Sequence, residues 1–447
     1  MSDKKAELKN RIKNIFRVAF PLIVQGLVFQ LQSLTDKAFL GNLDTRFVSA
    51  VGAAQMPIGT TFEALTALCT GLIIIVSHLY GAKKQEDIAR YVKSAVFYNS
   101  IIGISLFLFW QFGTETILSF FKIDPAIIEY SVTYTKICAC YLLLLGIDSS
   151  IQAMMQGIGD TKPIMYAGII KVFLNIFLSW VLVFGKFGIK PMYVTGAAIG
   201  TIVANVAAFL FIILYCLFNR KKYGLTILDK EWIRIKPYKE IFKLGIPIGL
   251  EYLLWNVSNL ILIRFINGFS YLYMAIYTLT FGFQCIVYVI FEGTSRATLA
   301  LMGQCFGAKE PKKADRYFFT SIVINFFIVL IAVVIFCAIP GQLLSIFSND
   351  AEVIGKGIPY LIFIGFIMIP QSMNVICGNG IKANNDTRWM LISQILGSTL
   401  IVVTSFILVG VFHMDMRAVY LTIYIDETVR GGINFWYYRK KYAYRGN

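Results

Sequence analysis

The sequence predicts an all-α polytopic membrane protein, with about twelve transmembrane helices in two six-helix bundles related by a pseudo-two-fold axis along the membrane normal. Apolar residues make up 57% of the 447 positions and charged residues 15%, a balance that suits lipid rather than one water-soluble core. Runs such as Ile101 to Phe109, Phe209 to Phe218, Ile322 to Cys337 and Leu400 to Phe412 are apolar on every side. A lipid-embedded helix needs this, whereas the strands of a membrane barrel would alternate. The chain also repeats itself at a fixed interval.

Apolar stretches of about 20 residues between polar breaks place spans near 15–40, 53–79, 92–113, 132–156, 163–185, 193–218, 241–266, 274–302, 318–338, 358–380, 389–411 and 418–438. Residues Met1 to Arg17 are polar and basic, and the apolar stretch after them is too long for a cleaved signal; it reads as a first span that stays. Lys and Arg concentrate in alternate connections: the N-terminus, 81–93, 162, 220–243, 309–316, 382–388 and 439–445. This places both termini in the cytoplasm of a cell inner-membrane protein and requires an even number of spans. The net charge of +16 therefore reports topology and contact with anionic membrane lipids, not nucleic-acid binding.

The repeat is visible residue by residue. Ile15-Phe16-Arg17 with Pro21 returns as Ile241-Phe242-Lys243 with Pro247, and Gly81-Ala82-Lys83 with Ala89-Arg90-Tyr91 returns as Gly307-Ala308-Lys309 with Asp315-Arg316-Tyr317. Ile117 to Phe121 returns loosely as Leu343 to Phe347, and Asp160-Thr161-Lys162 returns as Asp386-Thr387-Arg388, all at an offset of about 226. The unit is thus a bundle of about six spans, and an even count gives both copies the same orientation. The expected domains are an N-terminal lobe (1–219), a cytoplasmic linker (220–240) and a C-terminal lobe (241–447). Substrate in proteins built this way sits between the bundles, whose rocking alternates access.

Several chemistries are disfavoured. The eight cysteines lie in or beside apolar runs without a CxxC pair, and the two histidines, His78 and His413, have no nucleophile motif nearby. No GxxxxGK[ST] stretch is present, so any driving force should be an ion gradient. The residues themselves predict no enzyme, no catalytic residues, no cofactor and no metal site.

Asp36 followed by Phe39-Leu40-Gly41 and Ala50-Val51-Gly52-Ala53-Ala54, Gly71 with Val76-Ser77 and Gly81-Ala82-Lys83, Met154 to Thr161, Asn175-Ile176-Phe177-Leu178, and Gly196-Ala197-Ala198 with Thr201 occur in an order that resembles the multidrug and toxic compound extrusion family over nearly the whole chain. The resemblance implies sodium- or proton-driven export of amphipathic, often cationic compounds. It also implies an N-lobe cation site built from an aspartate of the first span, an asparagine and an aspartate of the fifth and a threonine of the sixth. The matching positions are Asp36, Asn175, Ser179 and Thr201, so a serine replaces the second carboxylate, and the coupling ion, a proton or a sodium at Asp36, is left open. Other members carry a glutamate in the seventh span where this chain has Trp255, with Glu251 one turn earlier.

Charge inside a span is costly unless paired or hydrated, so it marks a cavity or an internal pair. Asp36 is the first candidate for cation or proton coupling, while Lys37 beside it is expected to snorkel outward. Lys171 shares a helix face with Asn175; it either reaches Asp36 in place of a bound cation or pairs with Asp148. Asp148 and Glu251 occupy positions whose repeat partners are the neutral Asn374 and Gln25, which makes all four candidates for the substrate cavity. Trp255 offers a stacking surface for a flat cation. Glu292 and Arg296 are spaced to pair on one helix, with a cavity role second, and Asp426, Glu427 and Arg430 form a further internal cluster. The expected partners are a small-molecule substrate and membrane lipids, with the protein as a monomer. A flippase of lipid-linked precursors and a non-transporting receptor or scaffold are the alternative readings.

Overall fold

The computed structural model describes residues 2–41, 43–120, 123–223, 230–348 and 350–443. Its helices are α1 (Ser2–Gly41), α2 (Thr45–Gly81), α3 (Gln85–Phe120), α4 (Pro125–Ala139), α5 (Leu142–Ile158), α6 (Lys162–Phe184), α7 (Tyr193–Phe218), the short α8 (Arg220–Tyr223), α9 (Ile235–Asn267), α10 (Tyr271–Gly307), α11 (Pro311–Ala338), the short α12 (Pro340–Ser345), α13 (Ala351–Lys382), α14 (Thr387–Ser405) and α15 (Arg417–Lys441). The described residues contain no strand. Helix starts follow local chemistry. The Asp44, Asp124 and Asp350 carboxylates each accept a backbone N–H of the first turn at 2.8 Å, replacing a bond the helix itself cannot supply.

Ten of these helices are long and apolar enough to cross a membrane, and α4 with α5 make a further crossing bent by 47°. The twelfth crossing of the two-bundle fold is α15, whose 25 residues carry Asp426, Glu427 and Arg430 and so fall short on hydropathy alone. The expected single span 132–156 is corrected to this broken pair. The break lets α5 lie backbone to backbone on α3: a Cβ on Gly103 would come within 2.3 Å of the Leu142 carbonyl oxygen, and one on Gly146 within 2.3 Å of that of Asn99. Only glycine permits such an approach.

The chain divides into two compact units, 24–249 and 1–23 with 250–447. Both borders fall inside helices, two residues past Pro21 in α1 and two past Pro247 in α9. The core of the first unit gathers Leu40, Ile58, Leu65, Trp110, Tyr134 and Leu142. In the second, one cluster surrounds Phe291, Phe336, Leu361 and Tyr420, and another surrounds Ile15, Phe318 and Tyr438. Each unit also pins its helices with a buried asparagine at equivalent repeat positions. Asn99 donates to Ser150 Oγ at 2.9 Å and accepts from the Tyr238 hydroxyl at 2.8 Å. Asn325 donates to the Phe291 carbonyl at 3.1 Å and accepts from Thr294. Interhelical bonds of this kind supply cohesion where lipid removes the hydrophobic drive between helices.

Candidate functional site

In the 24–249 unit, three helices bring together the expected coupling residues. Lys171, Asn175 and Ser179 recur every four residues along one face of α6. The Asn175 Nδ2 donates to Thr201 Oγ1 on α7 at 3.0 Å, and that hydroxyl donates to the Ala197 carbonyl at 2.9 Å. Gly200 admits the close approach of α7, since a Cβ there would lie 3.0 Å from Ser179 Oγ. Asp36 and Gln32, one turn apart on α1, complete the group, with Ser179 and Gln32 facing the Asp36 carboxyl.

The hydrogen-bond inventory of this group is incomplete. Asp36 Oδ1, Gln32 Oε1, Asn175 Oδ1 and Ser179 Oγ are all buried without a hydrogen-bond partner. A buried carboxylate oxygen without a partner, in a group with other buried oxygens in the same state, has bonding capacity for a hard monovalent cation or a transferable proton.

The Lys171 ammonium lies over the Phe29 ring, 5.2 Å from its centroid. It is within electrostatic reach of both Asp148 and Asp36 but forms no direct ion pair with either. Asp148 Oδ2 accepts from the Tyr141 hydroxyl at 2.6 Å, while its Oδ1 is buried without a partner. Gln25 packs its side chain against Gly168 of α6. The side chain of Lys37 lies outside the described residues.

The remaining candidates lie in the other unit. Glu251 on α9 pairs with Lys382 at the end of α13, Nζ to Oε2 at 3.0 Å. Glu292 pairs with Arg296 on α10 at 2.9 Å. Trp255 is 38% exposed, one turn beyond Glu251. Asn374 donates to Glu427 Oε2 at 2.8 Å, and Asp426 takes a two-pronged bond from Arg430 at 2.7 and 2.6 Å.

Sequence reasoning missed Lys382, Gln32 and Tyr141. Lys382 was absorbed into the basic loop 382–388, although it is only 8% exposed. A turn-by-turn count back from Asp36 and Asp148 would have raised Gln32 and flagged Tyr141.

The MatE family model matches residues 21–181 and again 247–407. The chain belongs to the MatE family. The second match begins 226 residues after the first, the interval of the sequence repeat. Among MatE relatives, the probable multidrug resistance protein NorM of Thermotoga maritima is 24% identical over 97% of this chain and 93% of its own length. The multidrug export protein MepA of Staphylococcus saprophyticus is 26% identical over 95% and 92%. Among solved structures, a MATE protein in the straight conformation shares the fold with a TM-score of 0.89 at 20% identity, covering 96% of each chain. MatE proteins are membrane transporters, and this chain is a multi-pass member.

Proposed function

We propose that the chain is a secondary active efflux antiporter of the cell inner membrane, with both termini in the cytoplasm. In this reading it exports amphipathic, cationic organic compounds in exchange for a proton taken up at Asp36, while its two lobes rock to alternate access. The observation that carries the reading is the buried Asp36 Oδ1, left without a hydrogen-bond partner on a carboxyl that Ser179 and Gln32 face. A carboxylate there is costly when bare, and occupancy by a proton or cation couples its charge to conformation. The Lys171 ammonium within electrostatic reach repels proton and sodium alike, but a proton needs only one carboxyl and no shell of oxygens, and Ser179 stands in place of a second carboxylate, which favours the proton; the oxygen-rich donor set supports sodium as the second reading. The names of the relatives, multidrug resistance and multidrug export, support the substrate class over a lipid-linked precursor.

The test is efflux of a cationic dye from proteoliposomes under separately imposed proton and sodium gradients. Efflux driven by the proton gradient and lost in Asp36→Asn is the expected result. Efflux that ignores both gradients, or that survives Asp36→Asn unchanged, would sink the proposal.

A further inference from the structure

The unit formed by 1–23 and 250–447 holds a second ionisable centre on α15, distinct from the Asp36 group. Its charges do not balance. Glu251 is neutralised by Lys382 and Glu292 by Arg296, which leaves Asp426, Glu427 and Arg430, all 6% exposed or less. That is two acids against one base. Asp426 takes the short, two-pronged guanidinium contact, whereas Glu427 Oε1 is 3.4 Å from Arg430 Nη2. Arg430 spends its other terminal nitrogen on Gln394 Oε1 at 2.8 Å. Glu427 is therefore the carboxyl left with the excess negative charge.

Its two oxygens face unlike neighbours. Oε2 accepts from Asn374 Nδ2 at 2.8 Å, and Asn374 Oδ1 accepts from Asn434 Nδ2 at 2.9 Å. Asn434 Oδ1 in turn accepts from the Trp389 indole N–H at 2.9 Å. An indole nitrogen can only donate, so it sets the direction of every bond in this chain and fixes an N–H donor against Oε2. Oε1 instead faces Gln371 Nε2 at 3.3 Å, and Gln371 Oε1 accepts from Gln284 Nε2 at 3.0 Å. Neither glutamine is anchored by a one-way group. Both amides can turn together, presenting an oxygen acceptor to a hydroxyl at Oε1.

We propose that Glu427 is a proton-exchanging carboxyl, binding one proton at Oε1 with Gln371 and Gln284 turning over to receive it. When the proton leaves, the amides turn back and donate to the carboxylate. Burial of the excess charge drives uptake and the N–H donors favour release, so the site can exchange rather than remain in one state. A metal cation is disfavoured because Arg430 and the fixed Asn374 amide present donors, where a cation needs a shell of oxygens.

Among the described residues, other charged and titratable groups lie near Glu427. On α15 they are Asp426 and Arg430, and on α13 Lys382 is held by Glu251, which is within electrostatic reach of Arg430. On α10, Tyr288 and the Glu292–Arg296 pair lie nearby. The only charged residue of α14 is Arg388, at its start. Two buried hydroxyls without partners flank the centre, Thr422 one turn before Asp426 and Ser393 one turn before Gly397; Gly397 touches the Asp426 and Arg430 side chains directly. They offer bonding capacity for a water that delivers the proton.

The test is infrared titration of the protonated-carboxyl band in purified full-length protein, in sodium-containing and sodium-free buffer, with Glu427→Gln, Glu427→Asp and Asp36→Asn. Glu427→Gln is expected to remove one titrating band that Asp36→Asn keeps, and Glu427→Asp to restore a displaced one. Sodium should leave that band unchanged. Glutamine mimics the protonated acid, so Glu427→Gln should shift the neutral-pH melting temperature by less than about 2 °C. A band spectrum unchanged by Glu427→Gln, a band removed by sodium, or a Glu427→Gln protein that melts well below wild type because Arg430 has lost a permanent counter-ion would overturn the proposal. Because the Asp36→Asn arm reads the other site separately, failure here leaves the Asp36 coupling intact.

Discussion

Asp386, at the head of α14, accepts a hydrogen bond from the Tyr442 hydroxyl at 2.6 Å. The Lys441 ammonium and the Tyr437 hydroxyl bind the same oxygen at 2.8 and 2.7 Å. The other repeat does likewise: Asp160 is held by Lys222, and by the Tyr223 hydroxyl at 2.6 Å. Each repeat thus ends by fastening a Lys-Tyr pair onto the aspartate that precedes its fifth span.

This clasp has a pH signature. Burial alone would push the Asp386 carboxyl up, but the Lys441, Tyr442 and Tyr437 donors outweigh it and hold the group at about 2. A depressed folded-state value means that the stabilisation is fully present above the ordinary carboxylate range and is lost as pH falls from about 4 towards about 2. Asp386→Asn should lower the melting temperature at neutral pH, and the gap from wild type should close in acid. Thermal melts across that range check this; a gap that is constant with pH would contradict it.

Gly397 presses on the Arg430 and Asp426 side chains, and a Cβ there would lie 2.5 Å from Arg430 Nε and from Asp426 Oδ1. Gly397→Ala should cost about 1–3 kcal/mol through this overlap. The loss should shrink when Arg430 is also truncated, which a double-mutant stability comparison measures.

The Glu251–Lys382 pair joins α9 to α13 with side chains 16% and 10% exposed. Removing either partner alone strands a largely buried charge and should cost about 3–5 kcal/mol. Glu251→Gln with Lys382→Met should cost clearly less than the sum of the two single changes. Additive losses in chemical denaturation would show that the pair is not coupled.

Lys171 brings a cation within electrostatic reach of the Asp36 carboxyl. Lys171→Ala should make dye efflux respond to sodium where wild type responds to protons, at least several-fold in initial rate. Unchanged ion dependence in proteoliposomes would remove Lys171 from the coupling group.

Hydropathy and the repeat made most of the fold legible, because lipid imposes a length and an all-round apolar character that single residues cannot disguise. The 226-residue offset located Asp160 against Asp386 in the same way, and the structure adds Asn99 and Asn325 at that offset. The bend between α4 and α5 was not legible: it depends on where Gly103 and Gly146 meet another backbone, which no periodicity encodes. For the candidate site, helical spacing gave the common face of Lys171 and Asn175, while Ser179 came from the family resemblance. It could not assign Lys382 to Glu251, since those positions lie on different helices 131 residues apart and the lysine counted equally well as a loop charge.

The positions of Pro21 and Pro247 bear on how the gene could be cut. A break in the 220–240 linker separates the two sequence repeats, yet it leaves 1–23 on one fragment and 235–249 on the other, each severed from the unit to which it belongs. Co-expressed halves should therefore each be incomplete as folding bodies and accumulate only together, so a protease nick in the linker need not release a self-sufficient half.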